Sequence, residues 1–145
     1  RFAICGGAPL SKTVGETFEI LGILILEGYG LTETCAPVAL NTVAHHKFGT
    51  VGRPLPDVSI RIADDGEILL RSKKIFSGYW REEAETRDAF DPEAWFKTGD
   101  IGFVDPAGFL HITDRKKDLI ITSGGKNVAP QKIENFAKTL SPLIS

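Results

Sequence analysis

An apolar run, Ile23-Leu24-Ile25-Leu26, leads through Glu27 into Gly28-Tyr29-Gly30-Leu31-Thr32-Glu33-Thr34. A short apolar run bounded by glycines reads as a buried strand, and this one constrains the fold more than any other stretch. The seven residues after Glu27 suit a nucleotide. Glycine lets backbone approach a ligand closely. Tyrosine offers a flat face for a base. Threonine can donate to a phosphate oxygen, and glutamate can hold Mg²⁺ through oxygen. A plain strand-to-loop turn accounts for the same residues equally well.

The flanking pattern predicts an α/β unit. Phe2-Ala3-Ile4 reads as a short strand, closed by Gly6-Gly7-Ala8-Pro9. Ser11 is the candidate N-cap of a helix. Val14, Phe18 and Leu21 at i, i+4 and i+7 mark its apolar face, and Gly22 is placed as its C′ residue. These strands would need neighbours not present in the chain. Further on, Val58 to Ile62 alternates strictly, Asp64-Asp65-Gly66 signals a hairpin turn, and Glu67 to Arg71 returns. A short helix is predicted over Arg81 to Arg87. Ile101 to Val104 and Phe109 to Thr113 form a second hairpin around Asp105-Pro106-Ala107-Gly108. Short strands at this spacing predict a small barrel or curled sheet. After the charge run Asp114-Arg115-Lys116-Lys117-Asp118, a third hairpin is predicted from Leu119-Ile120-Ile121-Thr122 to Lys126-Asn127-Val128. A helix then opens at Pro130 and stops near Ser141-Pro142.

Bulk properties exclude some functions. The chain carries 17 basic and 19 acidic residues in 145, a net charge of −2. That argues against nucleic-acid binding, which needs a basic excess or patch. The Ile20–Leu26 run is far short of the roughly 20 residues that span a bilayer. The two cysteines, Cys5 and Cys35, form no spaced framework and read as reduced thiols of a cytoplasmic protein. His45-His46 is a poor metal pair, because adjacent strand residues face opposite ways. The chain has no methionine and opens in mid-pattern, so it is expected to be a piece of a longer protein.

Four stretches occur in a telling order: Gly6-Gly7-Ala8-Pro9, Tyr29-Gly30-Leu31-Thr32-Glu33, Thr98-Gly99-Asp100 and Asp114-Arg115-Lys116. With Gly66-Glu67-Ile68 and Gly78-Tyr79-Trp80, the whole chain resembles the adenylate-forming enzymes, which include acyl-CoA synthetases, luciferases and peptide-synthetase adenylation domains. The resemblance implies an ATP-dependent activation of a carboxylic acid to an acyl-adenylate, then thioester formation with coenzyme A. It implies that Thr32 and Glu33 act in catalysis, Thr32 at the α-phosphate and Glu33 on Mg²⁺. Tyr29 and Gly30 would cover the adenine on one side and the Gly6-Gly7-Ala8 backbone on the other. Asp100 would accept the ribose hydroxyls, and Arg115 would reach the same sugar. Taken singly, Asp100 could instead cap a turn, and Arg115 to Lys117 could be a solvated charge run.

The same resemblance makes Asp114 the hinge ahead of a small C-terminal domain, with a strand ending at Thr113. It brings Gly124, Gly125 and Lys126 to the coenzyme A step. The implied fold is α+β and β-rich. Residues 1–40 form an α/β segment and 41–113 a distorted β-barrel, together the end of a large domain; 114–145 begin the small one. The family's phosphate loop would lie before Arg1 and its catalytic lysine beyond Ser145, so the chain alone is expected to be inactive. The tail looks most like long-chain fatty acid–CoA ligases, which implies a fatty acid substrate and admits peripheral contact with a membrane. Another acid, a carrier-protein thiol, or a non-catalytic AMP-binding module are the alternatives.

Overall fold

The computed structural model describes residues 1–121 apart from Pro9, together with residues 127, 128 and 130. Strand β1 (Phe2–Gly6) lies parallel to β2 (Leu24–Leu31), with helix α1 (Lys12–Ile20) as the crossover. Strand β3 (Ala36–Leu40) pairs antiparallel with β2, and β4 (Arg53–Pro54) with β3. The expected strand–helix–strand–loop opening is therefore present, but the expectation that its strands lack neighbours in the chain is corrected: β3 and β4, from the residues just after the loop, extend the sheet.

Helix α1 stops where Gly22 predicts. Gly22 takes φ +80°, its N–H donates to the Glu19 carbonyl (2.8 Å), and the Ile23 N–H donates to Phe18 (2.9 Å). This pair of bonds satisfies two orphan carbonyls of the last turn. Ser11 holds the N-cap position, but its side chain makes no capping bond. The predicted apolar face is not buried either: Val14, Phe18 and Leu21 are all exposed. The helix packs instead through Gly15, where an added Cβ would lie 2.8 Å from the Phe48 ring.

A second sheet has the order β5 (Ser59–Ile62), β6 (Glu67–Arg71), β7 (Phe96–Val104), β8 (Leu110–Arg115), antiparallel throughout. Gly66 supplies φ +86° in the expected turn between β5 and β6. Helix α2 (Glu83–Asp88) sits between β6 and β7, two residues later than predicted at its start. The outer edge of β8 is held by the segment that enters β4. Val51 N–H donates to the Leu110 carbonyl (3.0 Å), and Leu110 N–H to Gly52 (2.8 Å). The two sheets share one core: Tyr29, Val38 and Ala39 from the first pack with Ile68, Leu70, Phe96 and Leu110 from the second. The fold class is the mixed, β-rich α+β expected.

Two strands are longer than predicted. β7 begins at Phe96, so Thr98-Gly99-Asp100 lies within a strand and Asp100 does not cap a turn. β8 continues past Thr113 through Asp114 and Arg115, which pair with Ile101 and Asp100. Asp114 is thus in a paired strand and almost wholly buried, and the unpatterned link expected there is corrected. Lys116–Asp118 form a 3₁₀ turn. β9 (Ile120–Ile121) then pairs antiparallel with β10 (Asn127–Val128), as the third hairpin predicts. Gly124, Gly125, Lys126 and nearly all of the predicted last helix lie outside the described residues.

Candidate nucleotide-binding site

Where β2 ends, a 3₁₀ turn over Thr32–Thr34 carries the chain away. Fully buried Thr34 closes it: its Oγ1 accepts the Leu31 N–H and donates to the Leu31 carbonyl, both at 2.9 Å. A cavity of about 420 Å³ opens beside this strand end. Its walls come from Gly7 and Ala8 after β1, from β2 between Glu27 and Leu31, from the Gly49–Val51 segment, and from Asp100, Ile112, Asp114 and Arg115.

The polar centre of this cavity is Asp100. Its Oδ2 accepts the Tyr29 hydroxyl at 2.6 Å, and its Oδ1 lies 3.3 Å from Arg115 Nε. Asp100 is 4 % exposed, whereas Arg115 is half-exposed across the ladder. Burial, with Asp100 alongside, pushes the Tyr29 hydroxyl far above its usual range, so it stays a neutral donor. Among the described residues Asp100 is the ion-pair partner of Arg115, whose side chain stands at the rim. In the wall behind it, Asp114 Oδ1 accepts the Arg115 N–H at 2.7 Å, while the buried Oδ2 has no hydrogen-bond partner among the described residues. An orphan acceptor, a carboxylate and a guanidinium at one cavity suit a ligand rich in hydroxyls and charge.

Glu27 is a further carboxylate of the cavity, beside Asp100 and Asp114. It accepts the Leu10 N–H at 3.2 Å, and burial raises its pKa. A raised folded-state pKa means that the fold favours the protonated form. That contribution is present below the unfolded pKa and lost as pH rises through the folded one. Glu27→Gln, neutral throughout, is therefore expected to melt higher than the parent at about pH 8, with the gap closing near pH 4. Melting temperatures of both proteins across that range check it; a gap that does not change with pH refutes it.

Of the residues predicted from sequence, the fold brings Gly7, Ala8, Tyr29, Gly30, Asp100 and Arg115 to one cavity. Gly6 does not line it; its Cα faces Gly28 in the β1–β2 ladder, where an added Cβ would meet the Gly28 carbonyl at 3.2 Å. Tyr29 is 7 % exposed and shared between core and cavity. Thr32 and Glu33 come one and two positions after the cavity residue Leu31, outside its lining. Glu33 accepts the Tyr79 hydroxyl at 2.8 Å. His45 lies in a bend and His46 just after it, neither in a strand, and His46 packs edge-on against Phe48. Sequence reasoning missed Glu27, the Gly49–Val51 wall and Ile112. Glu27 alone had a signal, a carboxylate at the end of an apolar run.

A family model described as AMP-binding enzyme matches residues 1–80. The chain belongs to the AMP-binding enzyme family. It is 53% identical over 145 residues to the long-chain-fatty-acid–CoA ligase FadD15 of Mycobacterium bovis, a match covering 100% of this chain and 24% of that protein. It is 42% identical over 137 residues to a 2-succinylbenzoate–CoA ligase of Listeria monocytogenes, covering 93% of this chain and 29% of the relative. Among solved structures, the Bacillus subtilis o-succinylbenzoate CoA synthetase with its acyl-adenylate intermediate is similar, at 31% identity and a TM-score of 0.86. That match covers 96% of this chain and 31% of the other. The chain thus spans roughly a quarter of the length of the curated relatives it matches.

Proposed function

We propose that the protein to which this chain belongs is an AMP-forming acid–thiol ligase. It activates a long-chain fatty acid with ATP and transfers the acyl group to coenzyme A. One observation carries this reading. Four distant stretches meet at a single cavity, where Gly7-Ala8, Tyr29 and the Asp100–Arg115 pair line one space. Membership of the AMP-binding family and similarity to a protein named as a long-chain-fatty-acid–CoA ligase support it.

In this reading the adenine lies between Tyr29 and the Gly7-Ala8 backbone, and the ribose hydroxyls donate to Asp100. Arg115 donates to the sugar oxygens. The substrate carboxylate is already a nucleophile at neutral pH, so no general base is needed. Its oxygen attacks the α-phosphorus, a new C–O–P linkage forms, and the bond to the bridging oxygen of pyrophosphate breaks. The chain's work is alignment and charge stabilisation. Thr32 donates to the α-phosphate. Mg²⁺ takes one or two carboxylates plus substrate phosphates. Glu33 fits it, because its carboxylate is partly exposed and Tyr79 engages only Oε1. When bound there, Mg²⁺ would neutralise developing phosphate charge. In the second step the coenzyme A sulfur attacks the acyl carbon and AMP departs, a step in which Gly124, Gly125 and Lys126 are proposed to act.

A pivot between a large part and a small C-terminal part belongs to the same proposal. Turning the chain at Asp114 would break its pairing with Ile101 and expose a buried carboxylate. The Lys116–Asp118 turn, directly after β8, is the better place. No described helix is long and apolar enough to cross a membrane. We place the protein in the cytoplasm, with peripheral access to lipid for its substrate.

The test is acid-dependent ATP–pyrophosphate exchange by the whole protein, with acids of increasing chain length. Exchange that rises to a maximum with long-chain acids is expected. Exchange with no acid at all refutes the ligase, and a maximum with aryl acids moves the substrate to that class.

A further inference from the structure

Glu67 lies outside the cavity lining and takes no part in the proposed chemistry. It is 4 % exposed, and both oxygens of its carboxylate are used. Oε1 accepts the Gly99 N–H at 2.9 Å, and Oε2 accepts Lys116 Nζ at 2.7 Å. These two partners have particular neighbours. Gly99 precedes Asp100, and Lys116 comes directly after Arg115. The single carboxylate therefore reaches the residue next to each member of the ribose pair, one in β7 and one in the turn that follows β8. Gly99 sits at φ +70°, and where β6 meets β7 the register shifts between Glu67 and Leu69. The regular ladder is interrupted here, so a side-chain acceptor takes its place. Lys116 is held from a second side by Asp65 Oδ2 at 2.6 Å, and Asp65 Oδ1 accepts the Glu67 N–H at 3.1 Å. The three residues close a ring, one side of it through the Glu67 backbone N–H, at the end of the β5–β6 hairpin.

We propose that Glu67 is a positioning residue for ribose recognition: it sets the spacing and aim of Asp100 and Arg115 by holding the residue next to each. Lys116 is the counter-charge that lets this carboxylate remain buried and bidentate. The proposal rests on the reading of the cavity as a nucleotide site. It also makes Lys116, at the start of the turn where the chain would pivot, a fixed point rather than part of the moving segment. A change that removes the Lys116 charge, acetylation included, would loosen the ribose pair without touching the ligand.

Two measurements test this, on the Glu67→Gln and Lys116→Met variants. The first is amide hydrogen exchange in the whole protein. Both variants are expected to speed exchange together at Gly99–Asp100 and Arg115–Lys116, with the rest of β6 and β7 unchanged. Lys116 is half-exposed, so its variant keeps the fold even if Glu67→Gln does not. The second is AMP affinity of the whole protein, measured against 2′,3′-dideoxy-AMP. Misplacing the pair should weaken AMP about tenfold while leaving the dideoxy analogue within roughly twofold, because only the ribose hydroxyls report on it. Unchanged exchange at Gly99 overturns the proposal. So does an equal loss for both nucleotides, which marks a merely structural role. Faster exchange in a whole protein that binds no AMP even as wild type places the failure in the nucleotide reading, and the ribose role falls with it.

Discussion

Gly52→Ala is expected to abolish the folded state at ambient temperature. Gly52 takes φ +91°, and an added Cβ would lie 1.9 Å from the Leu40 carbonyl carbon, 2.1 Å from Asn41 N and 2.2 Å from Leu40 O. All three are backbone atoms, so no side-chain rotation relieves the clash. The segment cannot retreat either, because Leu110 N–H donates to the Gly52 carbonyl and Val51 N–H to Leu110. Either the end of β3 or the edge of β8 must separate, and both hold the core that joins the two sheets. The left-handed backbone alone costs an alanine about 1–2 kcal/mol. Displaced backbone and opened core add several more, against a typical total stability of about 5–15 kcal/mol. Gly108→Ala isolates the first contribution. Gly108 has φ +83° with nothing within 4 Å of the added Cβ. Urea midpoints by circular dichroism should show Gly108→Ala shifted modestly and Gly52→Ala with no cooperative transition. Two similar midpoints would refute the close-approach argument.

Local chemistry was legible wherever one residue type decides a local geometry. Gly22 ends α1, Gly66 turns β5 into β6, and the alternation from Val58 to Ile62 gives one wetter face, each read from a few neighbouring residues. The errors lie where distant chain intervenes. The Val14–Phe18–Leu21 face has correct helical spacing but little covering among the described residues, and period alone cannot say what will lie against it. The charge run from Asp114 to Asp118 looks like solvated linker because charged residues are seldom buried. Asp114 is the exception, since β7 supplies ladder partners and the Arg115 N–H supplies its hydrogen bond. Through the family resemblance Gly7, Ala8, Tyr29, Gly30, Asp100 and Arg115 were legible as residues that meet at one cavity, whereas Gly6, Thr32 and Glu33 lie outside its lining and the geometry was not legible. Tyr29 and Asp100 are separated by 71 positions, and their 2.6 Å bond arises only from the packing of one sheet on the other. Glu67 was noticed as part of a motif, yet its two-sided grip on Gly99 and Lys116 needs the register shift between β6 and β7.

Asp100→Ala should cost the whole protein at least roughly 100-fold in AMP affinity, since each hydrogen bond to a charged group contributes about 1.5–3 kcal/mol and the carboxylate would accept two. Ionised, that group is acceptor-only, so both ribose hydroxyls can donate to it at once. In the free protein one of its oxygens is occupied by Tyr29 and the other faces Arg115. This arrangement fixes the carboxylate's orientation before the sugar arrives, and preorganisation of that kind lowers the cost of binding. Alanine also strands the Tyr29 hydroxyl in a buried place, with a stability loss of about 1–3 kcal/mol. Asp100→Asn separates the two effects. The amide oxygen can still accept from Tyr29, so the melting temperature should stay near the parent's. The NH₂ group, however, presents donors where the ribose also donates, so AMP binding should remain weak. Calorimetric titration with AMP, beside thermal melts of the three proteins, decides the matter. An asparagine variant that keeps the parent's affinity would show that Asp100 serves Tyr29 and the core, and that the sugar is held elsewhere.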